Sequence, residues 1–321
     1  MNFKTIDTPD KLLDAAFGRA RKSAALVKKQ KTNFYTIKGK EITKIDVSAE
    51  FLIEKLSGIV QEFPSVNKLP PFYEDLFTFI VDINVLKKSL SSISSVSKVI
   101  KNIRREKIVF LKELPFEKDS IKKVKKTSNE YFGRVSSLVK SLKNDIDVYN
   151  TAIKKLKELP SIKTSEEVYL IAGLPNVGKS TLLSKITDSK PKIAAYPFTT
   201  KGLNVGIFFK KYSPIQVIDT PGLLDRPLGE RNRIELKAIS AFQHLKGTII
   251  FVVDPSQELK EQKNLLIELK KLFSDKGFII VINKTDLINK EKMDLVLKEF
   301  SGQYVVIEGN ELNNLKEELL K

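Results

Sequence analysis

Apolar residues in the first half of the chain recur every three or four positions, which is the spacing of an amphipathic helix. Glycine is scarce in this half, and strand-like alternation is confined to short stretches. Thr8 is placed to cap the first helix, and Pro9 to begin it. The pattern predicts an antiparallel helical bundle whose apolar stripes form the core. Helices are expected over residues 8–29, 48–63, about 72–90, and two further segments separated near 114–120, the last from about 120 to 159.

The rhythm changes after a junction at residues 158–168. Short apolar runs then alternate with helical segments, a pattern typical of a mainly parallel sheet flanked by helices. In such a sheet, ligands bind beyond the carboxyl ends of the strands. The predicted fold is an N-terminal all-α bundle over residues 1–163, followed by an α/β domain over residues 164–321. The predicted strands are VYLIAG, LNVGIFF, IQVID, GTIIFVVD, GFIIVIN and YVVIE.

A glycine-rich loop, GLPNVGKS at residues 173–180, directly follows the first of these strands. It matches the P-loop pattern, in which backbone N–H groups of the loop and the following helix point at phosphate oxygens. Lys179 should reach the β- and γ-phosphates, and the Ser180 hydroxyl should bind Mg²⁺. The predicted phosphate-binding residues are Gly173, Leu174, Pro175, Asn176, Val177, Gly178, Lys179, Ser180 and Thr181.

The segment NKTD, residues 283–286, follows a second buried strand. The Asp286 carboxylate can accept hydrogen bonds from guanine N1–H and the exocyclic amine, whereas adenine offers no such pair of donors. A site built on buried polar pairing rejects the wrong ligand strongly. The predicted cofactor is therefore GTP or GDP, with Asn283, Lys284 and Asp286 as base-binding residues. Glu308 and Gly309 are further candidates near the guanine ring, where Ser-Ala is common.

The segment DTPG, residues 219–222, lies between the two motifs. Asp219 is expected to approach Mg²⁺ through water, and the Gly222 N–H to contact the γ-phosphate. A Mg²⁺-binding threonine is expected in the upstream segment YPFTT, because γ-phosphate and metal order this switch loop until hydrolysis. Thr199 and Thr200 are both candidates, and Thr200 is preferred. Thr220 and Pro221 complete the nucleotide-binding set, while Ser180, Thr200 and Asp219 form the predicted metal set. These motifs make the α/β domain a P-loop GTPase domain.

The residue after the DTPG segment is Leu223, whose side chain can neither donate nor accept a hydrogen bond. Ras-type enzymes have a glutamine there that orients the attacking water. Another group must therefore position the water if this chain hydrolyses GTP.

Composition narrows the function classes. The chain has no cysteine, which excludes disulfides and thiolate metal sites. No apolar run approaches the roughly 18 residues of a membrane span, and the N-terminus does not have the pattern of a signal peptide. A cytoplasmic protein is expected. Residues 1–160 contain 32 Lys and Arg against 19 Asp and Glu, whereas residues 161–321 contain 24 against 20. The basic half suggests a polyanionic partner, with a solvated lysine-rich surface as the alternative.

The motifs GLPNVGKSTLL, YPFTT and DTPGLLD together resemble the Obg-like branch of translation-associated GTPases. The segments LLDRPLGERNRIELKAISAFQHL, GRARKSA, EFPSVNKLPPFYEDL, FGRV and LPSIK resemble the nucleolar GTP-binding protein (Nog) family of large-subunit assembly factors. The similarity extends over nearly the whole chain, and its length suggests a short, archaeal-type member. Functions of the long C-terminal extension of eukaryotic members are not expected here.

The resemblance implies a helical bundle that inserts into large-subunit rRNA, and a GTPase domain that governs binding or release. The expected partner is a precursor of the large ribosomal subunit and its rRNA, bound through the basic N-terminal bundle. The chain is expected to be a monomer and not to bind a membrane. Membrane attachment is disfavoured because the basic clusters lack neighbouring exposed aromatic anchors. The clusters are Arg19, Arg21, Lys22, Lys28, Lys29 and Lys31; Lys101, Arg104, Arg105 and Lys107; and Lys122, Lys123, Lys125 and Lys126.

Two interpretations of Asn176 stay open. Related translation GTPases use an asparagine at this P-loop position to hold K⁺ beside the phosphates, which would supply the positive charge of an arginine finger. The alternative is a turn residue that stabilises the loop. Asn176, Lys179 and Thr200 are the predicted catalytic residues, and His244 is expected to be a packed helix residue. The competing function is an rRNA-docking scaffold that binds GTP as a structural ligand.

Overall fold

The structure is a computed structural model that describes residues 4–63, 68–187, 191–196, 202–210, 213–300, 304–307 and 313–320. The chain divides into two compact units. One comprises Met1–Ser65 and Val81–Lys157, and the other Val66–Ile80 and Glu158–Lys321. Among the helices within the described ranges, none combines the length and apolar character that crossing a membrane requires.

The first unit consists of amphipathic helices that bury their apolar stripes, as predicted. Polar groups inside this core are paired: the Ser48 hydroxyl lies 3.1 Å from the Tyr131 hydroxyl. Burial raises the pKa of Tyr131 to about 12, so this hydroxyl stays protonated. The first six helices of the chain, of which α3 belongs to the second unit, are α1 (Pro9–Ala25), α2 (Asn33–Glu62), α3 (Pro71–Ile80), α4 (Ile83–Glu113), α5 (Ser120–Ser141) and α6 (Lys143–Glu158).

Two helices predicted as continuous are each divided in the structure. The segment 72–90 breaks after Ile80, because the Asp82 carboxylate accepts hydrogen bonds from the next N–H groups and caps α4. The segment 120–159 breaks at Leu142, where the backbone makes a short turn between α5 and α6. These boundaries depend on capping and on tertiary packing, which apolar periodicity does not report.

The second unit contains a twisted sheet with strand order β2-β3-β4-β1-β5-β6-β7. Strand β1 pairs in parallel with β4 and β5, and β3 pairs antiparallel with β2 and β4, so the prediction of a mainly parallel sheet is confirmed. The central strands are buried on both faces. The strands are β1 (Val168–Ala172), β2 (Lys192–Ala194), β3 (Leu203–Lys210), β4 (Ser213–Asp219), β5 (Gly247–Val253), β6 (Gly277–Ile282) and β7 (Tyr304–Val306). The accompanying helices are α7 (Lys179–Ile186), α8 (Arg233–Ala241), α9 (Leu259–Leu272), α10 (Lys290–Glu299) and α11 (Asn313–Leu320).

Helix α3 packs with the sheet unit although its sequence lies between two helices of the bundle. Phe72 and Leu76 are buried in the same hydrophobic core as the strands. The Tyr73 hydroxyl accepts a hydrogen bond from the Ile162 N–H at 2.7 Å and lies 2.9 Å from the Pro160 carbonyl oxygen. The division of the structure thus differs from the sequence-based boundary at residue 163, because one helix crosses over.

Replacing Leu76 with alanine should lower the free energy of unfolding by about 2–5 kcal/mol, since its side chain is fully buried in the core of the second unit. Leu295→Ala is the matched control, because Leu295 on α10 is 60% exposed and its truncation should cost less than about 0.5 kcal/mol. Urea unfolding followed by circular dichroism measures both. Equally small effects would contradict the packing of α3 against this core.

Candidate nucleotide-binding site

The P-loop connects the carboxyl end of β1 to the amino end of α7. Gly173 and Gly178 have φ values of 135° and 99°, which side chains rarely tolerate. A Cβ atom on Gly173 would lie 2.4 Å from the Val252 carbonyl oxygen, and one on Gly178 would lie 2.4 Å from the Asn283 amide nitrogen. Both glycines are therefore required by the close approach of neighbouring strands and loops.

Lys179 lies at the start of α7, and its ammonium group turns back into the loop. The Nζ atom donates to the carbonyl oxygens of Gly173 at 2.8 Å and Leu174 at 2.7 Å, and the residue is buried. These bonds offset the cost of removing the cation from water. The charge lies inside the loop, where a phosphate group would interact with it.

Ser180 and Asp219 form the part of the site that fits Mg²⁺. The Ser180 hydroxyl donates to Asp219 Oδ2 at 2.6 Å, and the Asn204 side-chain amide donates to the same oxygen at 3.0 Å. Asp219 is fully buried, and its Oδ1 atom has no hydrogen-bond partner among the described residues. A buried carboxylate oxygen without a partner is costly, and a hydrated cation beside it would satisfy it.

The NKTD segment is joined to the P-loop by side-chain hydrogen bonds. Asn283 donates its amide N–H to the Val177 carbonyl oxygen at 2.8 Å, and Lys284 donates to the Asn176 carbonyl oxygen at 2.7 Å. Lys284 also pairs with the buried Asp254 carboxylate at 2.7 Å. Burial alone would raise the pKa of Asp254, but hydrogen bonds from Lys284 and Ser256 hold it below its usual value. Asp286 follows on an exposed turn beside these anchors.

A cavity of about 370 Å³ brings the phosphate- and metal-binding candidates together. It is large enough for a small ligand. Asn176 adopts a left-handed backbone conformation with φ 64°, which suits the turn interpretation, while its exposed position in the cavity leaves the K⁺ interpretation open. The lining residues are Pro175, Asn176, Gly178, Lys179, Ser180, Thr181, Asp219, Pro221 and Asp225.

Other predicted site residues lie elsewhere. The Thr220 hydroxyl is buried and donates to the Ile171 carbonyl oxygen at 3.2 Å, so its side chain is directed into the sheet. The side chains of Leu174 and Val177 are also buried, so these residues offer only backbone groups to a ligand. Four further candidates, Thr199, Thr200, Glu308 and Gly309, lie outside the described residues.

Leu223 is fully buried, as is Leu224 beside it. Leu223 therefore anchors the turn after the DTPG segment to the core. Below this turn, the buried Arg231 guanidinium donates to the Gly222 carbonyl oxygen at 2.8 Å. Asp225 accepts a hydrogen bond from the Gly222 N–H at 2.8 Å.

Three side chains of this site were not identified from the sequence: Asn204, Asp225 and Asp254. Asp254 had a usable signal, because it directly follows β5 at the carboxyl edge of the sheet. Asn204 gave no such signal, since its role depends on the antiparallel register that places it opposite Asp219. Asp225 could be located only by its position three residues after Gly222 in a folded turn.

His244 lies on a short turn after α8, with Nε2 3.0 Å from Asp75 Oδ2 on α3. His244 is exposed, so the expectation of a packed helix residue was wrong; its contact with α3 is this polar pair at the surface of the second unit.

Comparison with known families gives two matches. The family described as NOG1 N-terminal helical domain matches residues 2–163. The family described as 50S ribosome-binding GTPase matches residues 168–284. The first match covers the sequence of the helical bundle, and the second begins at β1 and ends at Lys284, the second residue of the NKTD segment.

Individual relatives are similar over most of the chain. An uncharacterized protein of Methanocaldococcus jannaschii is 37% identical, over 90% of this chain and 81% of its own length. Nucleolar GTP-binding protein 1 of Eremothecium gossypii is 34% identical, over 90% of this chain and 45% of its own length. The corresponding protein of Saccharomyces cerevisiae is 33% identical with the same coverages. The chain thus spans less than half the length of these two nucleolar relatives.

Gly178→Ala should weaken nucleotide binding at least about tenfold, because the left-handed conformation alone costs about 1–3 kcal/mol and the added Cβ would displace Asn283. Fluorescent GDP titration measures the change. Gly229→Ala is the matched control, since a Cβ there meets no atom within 4 Å. Wild-type affinity in Gly178→Ala would refute the role of this contact.

Proposed function

This chain belongs to the NOG1 family of GTP-binding proteins, and from that premise we propose that it hydrolyses GTP as a switch in assembly of the large ribosomal subunit. The proposal that the chain binds a guanine nucleotide rests on one observation: Asn283 and Lys284 of the NKTD segment donate hydrogen bonds to the P-loop. This arrangement supports one ligand with a phosphate chain at one end and guanine at the other.

The binding roles follow from the geometry. P-loop N–H groups and Lys179 would hold the β- and γ-phosphates, and Asp286 would accept the N–H donors of guanine. Ser180 and Asp219 would hold Mg²⁺, which supplies positive charge to the phosphates when bound. Asn204 keeps the Asp219 carboxylate oriented.

Hydrolysis requires a water oxygen to bond to the γ-phosphorus while the bond to the β–γ bridging oxygen breaks. The products are GDP and inorganic phosphate, which takes up the proton lost by water. Leu223 cannot orient this water because it is buried and apolar. Asn176 lies on the cavity wall, where K⁺ held beside it would stabilise the charge on the leaving oxygen.

The rRNA-binding role of the bundle is supported by a cleft between α4 and α5. The cleft has a volume of about 380 Å³, and Phe110 in its wall is 47% exposed. The expectation that no exposed aromatic side chain accompanies the basic clusters was therefore wrong, because Phe110 lies beside Lys107, Lys123 and Lys126. The lining residues are Glu106, Lys107, Phe110, Lys123, Lys126, Thr127 and Glu130.

The chemistry of this cleft suits an unpaired nucleotide. An exposed phenyl ring can stack on any base, lysines neutralise phosphates, and carboxylates accept from base amino groups. Lys107 on α4 pairs with Glu130 on α5 at 3.2 Å. Lys123 and Lys126 also lie on α5, and Lys123 is 3.6 Å from Glu117. This arrangement favours single-stranded RNA over a smooth duplex.

Within the second unit, helix α3 packs beside the α8 segment, which follows the DTPG segment along the chain. Phe242, at the end of the α8 segment, lies 6.0 Å from the Phe72 ring and stacks on Tyr196 at 5.1 Å. Tyr196 precedes the switch segment that contains Thr199 and Thr200, and its hydroxyl donates to the Ala238 carbonyl oxygen on α8.

Single-turnover GTP cleavage tests the enzymatic proposal. The expected unassisted rate is on the order of 10⁻⁴–10⁻² s⁻¹, faster in K⁺ than in Na⁺, and accelerated by large subunits. Asn176→Ala should remove the difference between K⁺ and Na⁺. Equal rates in both salts would refute the K⁺ role, and no cleavage with or without large subunits would favour the scaffold alternative.

Binding of a single-stranded RNA oligonucleotide tests the cleft. Phe110→Leu should weaken binding by about 5- to 150-fold with an unchanged salt dependence, since one stacked base contributes about 1–3 kcal/mol. Lys126→Gln should lower the salt slope by about 0.7. Phe209→Leu is the matched control, because Phe209 is similarly exposed in the second unit. The stacking site would be contradicted if Phe110→Leu weakened the binding of duplex RNA equally. It would also be contradicted if the wild-type chain bound anionic vesicles but not the oligonucleotide.

A further inference from the structure

The Gly222 N–H group, which is expected to contact the γ-phosphate, already has an anionic partner in this structure. It donates to Asp225 Oδ2 at 2.8 Å. Asp225 also lines the cavity that contains Lys179 and Ser180. The Asp225 carboxylate and the γ-phosphate of a bound GTP would therefore compete for the same N–H group.

Two buried leucines that follow Gly222 hold the turn in this arrangement. Leu223 and Leu224 are buried, and their backbone continues the turn that starts at Thr220, with the Leu223 N–H donating to the Thr220 carbonyl oxygen at 3.0 Å. Gly222 has φ 79°, which directs its N–H toward Asp225 without steric cost.

Arg231 fixes the same carboxylate from the other side. Its side chain is 0% exposed, Nη1 donates to the Gly222 carbonyl oxygen at 2.8 Å, and Nη2 lies 3.4 Å from Asp225 Oδ1. Its Nε atom has no hydrogen-bond partner among the described residues. A buried guanidinium needs anionic compensation, and Asp225 is its close carboxylate partner here. Arg226, which lies nearby, is paired with Glu235 at 2.8 Å.

We propose that Asp225 is a specificity-determining residue that lowers the affinity for GTP relative to GDP by occupying the γ-phosphate donor of Gly222. GDP leaves the Gly222–Asp225 hydrogen bond intact. GTP must displace the carboxylate and then tolerate its negative charge close to the γ-phosphate. After hydrolysis the carboxylate can return to the Gly222 N–H, which opposes rebinding of phosphate.

This inference rests on the proposed GTP binding but makes a separate claim. It predicts a change in the ratio of two affinities and leaves the GDP affinity unchanged, because GDP has no γ-phosphate to meet Asp225. Both charge and hydrogen bonding contribute, so Asp225→Asn should show part of the effect and Asp225→Ala more of it. Glu230→Gln is the matched control, since Glu230 is an exposed carboxylate of the same segment.

The test is equilibrium titration of the full chain with fluorescent GDP and a fluorescent non-hydrolysable GTP analogue, in the presence of Mg²⁺. In Asp225→Ala the affinity for the GTP analogue relative to GDP should rise about tenfold, as expected for loss of one charge-assisted hydrogen bond. Glu230→Gln should keep the wild-type ratio. Asp225→Ala removes the carboxylate partner of the buried Arg231 guanidinium and should lower the melting temperature, whereas Asp225→Asn keeps an acceptor oxygen there. Thermal unfolding of each variant sets the temperature at which every titrated chain is folded.

Two outcomes would overturn the proposal. An unchanged ratio in both Asp225 variants would show that the carboxylate does not compete with the γ-phosphate. A selective loss of affinity for the GTP analogue would show that Asp225 helps to bind GTP. Failure of the proposed nucleotide binding is distinguishable, because the wild-type chain would then bind neither nucleotide, and failure of hydrolysis alone would leave both affinities measurable.

Discussion

Two side-chain hydrogen bonds between distant parts of the chain determine the shape of the nucleotide site. Asn283 and Lys284 donate to the carbonyl oxygens of Val177 and Asn176, and Lys284 is itself held by the buried Asp254. Because these two bonds join the segments, the phosphates and the base of a bound nucleotide would be positioned together.

The turn after Asp219 is likewise held by side chains that bond to its backbone groups. A leucine at position 223 removes the side chain that orients water in Ras-type enzymes, and the structure uses that leucine to secure the turn in the core. The polar contacts of this turn come from two other residues. Asp225 accepts a hydrogen bond from the Gly222 N–H, and Arg231 donates one to the Gly222 carbonyl oxygen. A segment with no recognisable catalytic group thus holds both backbone polar groups of Gly222, the residue expected to contact the γ-phosphate.

Much of the fold could be predicted from the sequence, because apolar periodicity and the P-loop motif are local signals. The strands around the site and the mainly parallel sheet follow from such signals. The crossing of α3 into the second unit could not be predicted, since its apolar face fits a bundle core as well as a sheet. The contacts of Asn204 and Asp225 depend on strand register and turn geometry, and the exposure of Phe110 depends on packing between helices.

The central proposal is that the nucleotide state controls how tightly the basic bundle binds the large subunit. Co-sedimentation of the full chain with isolated large subunits across a salt series tests it most directly. The account predicts that a non-hydrolysable GTP analogue retains the protein at salt concentrations where GDP releases it, and that both complexes weaken as salt rises. Identical binding in the two nucleotide states, or no binding in either, would contradict it.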